Sequence, residues 1–308
     1  MVLAVRTRRS HYSYRRRRGS GRSLVVALLA AVVALGVVAV VAASRGSGSG
    51  THGGAGAGAD VPTGATHRHR LSRRAARARR ERLDSREVSA VLRYTPFVAT
   101  GTRRHRLMAL TFDDGPSPYT PTIVRILVRM HVPATFFVVG QQLSVFPSAL
   151  RDEISHGFEI GDHTQNHAWL ARLTAAGQYA QVHDAALGIE RLGGFAPRLF
   201  RPPYGIYNAS TLALLHRLHM LMVMWSIDPG DWRRPGAQAI LSSVLSNSKP
   251  GAIVILHDGG GDRSQTVAAL PGIIRGLRRR GYRLVSAPQL ITLAPPPRHQ
   301  KLPQLGTA

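Results

Sequence analysis

Leu107-Met-Ala-Leu-Thr-Phe-Asp-Asp-Gly-Pro116 carries the pattern from which the fold is read. Leu107 to Phe112 is a short, largely apolar run, as expected of a strand buried on both faces. Similar runs recur at Thr135 to Val139, Phe158 to Ile160, Leu199 to Phe200, Leu221 to Ile227, Ala252 to Leu256 and Tyr282 to Val285. Amphipathic stretches lie between them, among them Tyr119 to Met130, Ala176 to Leu192 and Ser264 to Arg280. Strand alternating with helix predicts an α/β fold built on a parallel sheet, open or closed into a barrel. The sequence contains no internal repeat.

This pattern fills 107–294, where 17 basic residues face 12 acids. Upstream the balance changes. Residues 1–106 hold 22 arginines against four acids, which accounts for most of the formal net charge of +25. Lys249 and Lys301 are the only lysines, so the positive charge is nearly all guanidinium, a planar fork suited to phosphates and carboxylates. There is no cysteine, which excludes disulfides, thiolate metal sites and cysteine nucleophiles.

The N-terminal segment 1–23 is Arg-rich, and Leu24 to Ala43 follows as an uncharged apolar run. At about 1.5 Å per residue such a run spans the roughly 30 Å hydrocarbon core of a bilayer. The arginines ahead of it belong on the cytoplasmic side, so the rest of the chain is expected outside the cell. A cleaved signal peptide ending at Val41-Ala42-Ala43 is the alternative, although such leaders usually have a shorter apolar core. Residues 44–106 read as a flexible tether of Gly, Ala and Arg, and 295–308, which opens on three prolines, as a disordered tail. The basic block from His67 to Arg86 is a solvated spacer or an adhesive for anionic wall polymers or lipid headgroups. No aromatic residue interrupts it, and nucleic acid is not an expected partner.

Two clusters carry candidate chemistry. Asp113 and Asp114 end the first strand, and the Gly115-Pro116 that follows breaks the pleat, so that both carboxylates can reach one pocket. A turn with one Asp capping the next helix would look the same. His163 and His167 are four apart, a spacing that on one helical turn presents two imidazoles to one metal; a surface pair is the ordinary alternative. With one carboxylate they would make a two-His, one-Asp site suited to metal-assisted hydrolysis.

Five motifs then occur in order: Thr111-Phe-Asp-Asp-Gly-Pro116, His163-Thr-Gln-Asn-His167, Arg201-Pro-Pro-Tyr-Gly205, Asp228-Pro-Gly-Asp-Trp232 and Ile255-Leu-His-Asp258. With Ala134-Thr-Phe-Phe-Val138 they make the stretch from Leu107 to Leu290 resemble the polysaccharide deacetylase family, the NodB-like carbohydrate esterases. The resemblance implies a distorted (β/α) barrel with its site at the C-terminal ends of the strands. It implies that Asp114, His163 and His167 hold a divalent metal, zinc before cobalt. It makes Asp113 the general base, Arg201 its positioning cation and His257 the general acid, with Asp231 orienting His257. The Tyr204 backbone N–H would stabilise the oxyanion, and Trp232 and Ile255 would shape the acetyl pocket, Ile255 standing where the family commonly has leucine. Asp162 and Asp258 adjoin motifs and receive no role. The expected reaction is removal of N-acetyl groups from an amino-sugar polysaccharide of the envelope, peptidoglycan first. Chitin-like oligomers, O-acetylated xylan, or a non-catalytic glycan-binding role are the alternatives.

Overall fold

The computed structural model describes residues 86–300. Eight strands lie among them: β1 (Phe97–Val98), β2 (Leu107–Asp113), β3 (Thr135–Val138), β4 (Glu159–Asp162), β5 (Leu199–Phe200), β6 (Leu221–Val223), β7 (Ala252–His257) and β8 (Arg283–Val285). The order across the sheet is β1-β6-β5-β4-β3-β2-β7, with β8 also paired to β2, and every pairing is parallel. All seven residues of β2 are buried, as befits a strand covered on both faces.

The run Leu221 to Ile227 divides. After β6 the chain leaves the sheet, and Ile227 then bridges Val254 of β7 in parallel. Its N–H donates to the Ile253 carbonyl at 3.1 Å, and the Ile255 N–H donates back at 3.0 Å. These bonds bring the far edge of the sheet onto β7 and curl it into the expected distorted (β/α) barrel.

The core follows the two-residue period of the strands. Met108, Leu110 and Phe112 join the outer cluster with Phe136, Val138 and Leu256, and Phe112 stacks on Phe136 at 5.1 Å. That cluster is covered by helices α1 (Thr120–Arg129), α2 (Gly140–Val145) and α3 (Pro147–Ser155) on one side. After α4 (Ala175–Gly193) and α5 (Ala209–Arg217), α6 (Ala237–Ser246) and α7 (Ser264–Arg279) cover the other, and α8 (Ala287–Leu293) follows β8. Leu107 and Ala109 point the opposite way, into a second cluster with Phe137, Phe200, Met222 and Ile253.

Two expected boundaries move. Residues 86–106 are folded rather than tether: a helical segment at 86–92 buries Val88 and Val91, and β1 buries Val98. The start of the tail is also fixed. The Gln300 side chain donates to the Phe97 carbonyl and accepts from the Ala99 N–H, both at 2.9 Å, and the Tyr94 hydroxyl donates to the Pro296 carbonyl. The short β1 and residues 296–300 thus supply part of each other's hydrogen-bond partners. The segments read as cytoplasmic (1–23), anchor (24–43) and most of the tether lie outside the described residues. Among the described residues no helix is long and apolar enough to cross a membrane.

Candidate active site

Register gathers the site. Asp113 of β2 lies beside His257 of β7, and Thr111 lies beside Ile255. Across the other edge, Val138 of β3 pairs with Asp162 of β4, and Asp162 with Phe200 of β5. His163 and Arg201 therefore emerge one residue past adjacent strand ends. All of them are on the C-terminal face.

Arg201 is the largest fully buried side chain, with Phe137 beneath its guanidinium at 4.1 Å. It donates to the carbonyls of Val223 (2.8 Å) and Met224 (3.3 Å), where β6 leaves the sheet. It also donates to the Thr111 hydroxyl at 2.8 Å and to Asp113 Oδ1 at 2.6 Å. Burial draws its pKa down, and the Asp113 carboxylate opposes this. Asp113 itself is 2% exposed, so a charge-assisted bond in low dielectric fixes its orientation.

Asp114 adopts φ of +73°, which turns its side chain away from the strand and toward the histidines. A Cβ at Gly259 would collide with the Asp114 carbonyl, so the loop after His257 passes close only because glycine stands there. Asp114 Oδ1 is 3.1 Å from His167 Nε2 and 3.4 Å from His163 Nε2. Burial works against its ionisation, but both imidazoles and the His257 charge hold its carboxyl well below the usual range.

The histidine pair does not occupy a helical turn, contrary to the sequence expectation. β4 ends at Asp162, and the chain continues as a loop with left-handed φ at Thr164 (+70°) and His167 (+59°). Asp162 Oδ1 accepts from the Thr164 N–H at 2.7 Å, and the N–H groups of Gly140 and Gln141 bind the carbonyls of Thr164 and Gln165. This scaffold brings the two rings to 5.0 Å, and both Nε2 atoms face Asp114.

These donors fit a divalent cation. His163 Nδ1 is 2.7 Å from the Arg201 carbonyl, which can only accept, so Nδ1 donates and Nε2 is the ring nitrogen left to face Asp114. His167 Nδ1 is 3.1 Å from the Tyr204 hydroxyl, which holds the second ring in the same sense. One candidate ligand atom from each of Asp114, His163 and His167 lies within 4.8 Å of the others. Two ring nitrogens converging on a buried carboxylate oxygen make a donor set that a divalent cation fits.

On the opposite side Asp231 Oδ1 lies 2.7 Å from His257 Nδ1, and its Oδ2 accepts from the His257 N–H at 2.8 Å. Burial alone would lower the His257 pKa. Asp231, through charge and hydrogen bond, together with Asp114 and Asp113 overcomes that effect and raises it to about 9. Ile255, two residues before His257 on the same face of β7, is buried. Trp232 stands at the rim with 45% of its surface exposed, as does Tyr204. Tyr204, at φ of +61°, lies edge-on to His167 at 4.6 Å.

Several supports were not read from the sequence. Thr266 of α7 donates to Asp231 Oδ2 at 2.8 Å. Arg263 ties the carbonyls of Gly259 and Gly260 to that of Trp232. Asp258 is buried and bonded by the Thr120 hydroxyl; burial, Asp114 and Asp113 push its carboxyl up to about 7 while Thr120 opposes them. No local pattern marks Thr266 or Arg263, and Asp258, although it closes the last motif, shows no role there, because what each of them binds is brought to it by the fold.

A family model described as polysaccharide deacetylase matches residues 100–223. A chitooligosaccharide deacetylase of Bradyrhizobium sp. (strain ANU 289) is 42% identical over 202 residues, covering 60% of this chain and 90% of the relative. A peptidoglycan-N-acetylglucosamine deacetylase of Bacillus cereus is 39% identical over 189 residues, covering 60% and 88%. A crystal structure of a peptidoglycan N-acetylglucosamine deacetylase matches with a TM-score of 0.62 at 34% identity, over 63% of this chain and 92% of that one. With the curled parallel sheet and the Asp/His/His cluster, these matches lead to one conclusion: this chain belongs to the polysaccharide deacetylase family.

Proposed function

We propose that the protein is a zinc-dependent hydrolase that removes N-acetyl groups from peptidoglycan, outside the cell and anchored by residues 24–43. The observation that carries the hydrolase reading is the convergence of Asp114, His163 and His167 beside an Asp113 held by Arg201. Asp114, His163 and His167 would hold the divalent cation, which when bound would supply Lewis-acid chemistry, making water more acidic and a carbonyl more electrophilic. Asp113 takes the proton of the attacking water, and Arg201 holds that carboxylate in position. The Tyr204 N–H donates to the oxyanion of the tetrahedral intermediate. His257 then protonates the departing amine, and acetate and a free amino sugar leave. Trp232 and Ile255 bound the space for the acetyl methyl.

Peptidoglycan is favoured by the names of several relatives and by the expected anchor and Arg-rich spacer, whose guanidiniums suit anionic wall polymers. The test is acetate release by the full chain from peptidoglycan glycan strands and from chitotetraose. Release should stop with a chelator and return with zinc. No release from either substrate after zinc or cobalt loading would favour a glycan-binding protein. For the orientation, protease added to intact cells should degrade the catalytic domain, and protection would contradict the outward placement.

The acid assignment makes a pH prediction. His257 must be protonated to act, and its pKa of about 9 keeps it so through neutral pH, with activity lost as pH rises through that value. Asp231→Asn removes the strongest of the charges that raise the His257 pKa, so the alkaline limb of kcat/KM should move about one unit or more lower in the metal-saturated enzyme. An unmoved limb would remove His257 from that role.

A further inference from the structure

Two tryptophan–arginine pairs stand at the rim of the site, and the mechanism gives their arginines no task. Trp169 follows two residues after His167 and packs 4.7 Å from Tyr204, and the Arg172 guanidinium lies over its ring at 4.1 Å. Tyr204 in turn contacts His167. An unbroken chain of ring contacts therefore runs from a candidate metal ligand through two aromatic rings to an exposed cation. The second pair follows Asp231, the partner of His257: Arg233 lies over Trp232 at 4.5 Å. One pair borders the ligand side of the site and the other borders the acid side.

Among the described residues neither guanidinium has an acidic partner, whereas the adjacent Arg234 lies 3.5 Å from Asp262 and Arg201 is bound to Asp113. The contrast with Arg106 is informative. It also lies over a ring, that of Tyr282, but it donates to the Arg280 carbonyl. A stacked guanidinium has its plane fixed by the ring while its N–H edges stay available, which suits two-point capture of a carboxylate. A neutral glycan offers such edges only single hydroxyl and amide oxygens, without the charge or the paired oxygens of a carboxylate. A glycan with ether-linked carboxylates on alternate sugars offers one on each side of the reacting residue.

We propose that Arg172 and Arg233 determine specificity by holding carboxylates on the sugars flanking the one being deacetylated, so that the groove selects an acidic amino-sugar glycan. The inference rests on the deacetylase reading and names the substrate class of that same site. Peptidoglycan strands meet the requirement once their stem peptides are removed, because the lactyl carboxylates are then free. The strands this enzyme prefers would be supplied by a reaction that cleaves the amide between peptide and sugar.

The test uses the zinc-loaded full chain and peptide-free glycan strands in two forms, with carboxylates free or converted to methylamides. The wild type should prefer the free acids in kcat/KM and in Kd. Arg172→Gln and Arg233→Gln should each lower the acid-to-amide ratio about three- to ten-fold, mainly through KM, and the double variant should abolish the preference. Raising ionic strength should erode the wild-type preference in the same way. Arg217→Gln, at the exposed end of α5, should leave the ratio where it is. The proposal is overturned if the wild type treats both strands alike, if the two variants keep its ratio, or if Arg217→Gln lowers the ratio equally. Arg-dependent binding of the acid strand without acetate release would sink the hydrolase reading alone. Release without an Arg-dependent preference would sink this proposal alone.

Discussion

Asp113→Asn is expected to keep its metal and lose about 10²- to 10⁴-fold in kcat, the usual contribution of a positioned general base. The substitution changes little else. An amide oxygen can still accept from Arg201, so the 2.6 Å contact and the cover over Phe137 have a partner. All three candidate ligands stay in place, and the nearest, His163, has its Nε2 3.8 Å from Asp113 Oδ2. What is lost is a lone pair able to take a proton, together with the negative charge that faces a buried guanidinium. Removing one partner of a buried pair costs about 3–5 kcal/mol when nothing replaces it. The isosteric amide should cost less than Asp113→Ala, and comparing the two melting temperatures checks this. Metal content by mass spectrometry, with kcat on glycan strands, separates the roles. Normal turnover by Asp113→Asn would end the assignment of the base.

His163→Ala should fail in the opposite order, losing metal first and turnover as a consequence. Its Nε2 is one of three converging donors, and its Nδ1 binds the Arg201 carbonyl at 2.7 Å. Losing even an outer partner of a metal ligand typically costs about 10- to 100-fold in affinity, so losing the ligand should cost more than about 100-fold. The alanine also leaves the Arg201 carbonyl without its donor in a buried setting, a further loss of about 1–3 kcal/mol. Competition with a fluorescent zinc chelator measures the first effect, and thermal unfolding of the metal-free protein measures the second. Wild-type zinc affinity in this variant would place the ion elsewhere.

The parts of this site that the sequence made legible are those in which side-chain chemistry and strand ends coincide. The run Leu107 to Phe112 and the two aspartates that follow it marked both a fully buried strand and the proposed base. The five motifs in order named the residues that the structure gathers at one face. The local geometry of the histidines was not legible. A spacing of four is compatible with a helical turn, and it is equally compatible with a loop bent at two left-handed residues. Thr164 and His167 adopt that region, which carries no sequence mark when the residue is not glycine. The ends of the domain were obscured by composition. Arg86, Arg93, Arg103, Arg104 and Arg106 made 86–106 look like tether and hid Val88, Val91 and Val98, which are buried. The prolines from Pro295 suggested disorder, yet Gln300 beyond them is bound to β1. Residues such as Thr266 and Arg263 were invisible because what they bind is set by tertiary packing.

The most direct test is anomalous diffraction at the zinc edge from crystals of the zinc-loaded protein. The account predicts one strong peak about 2.0–2.2 Å from an oxygen of Asp114 and from Nε2 of both His163 and His167. A peak coordinated by other side chains, with these three turned away from it, would contradict the account.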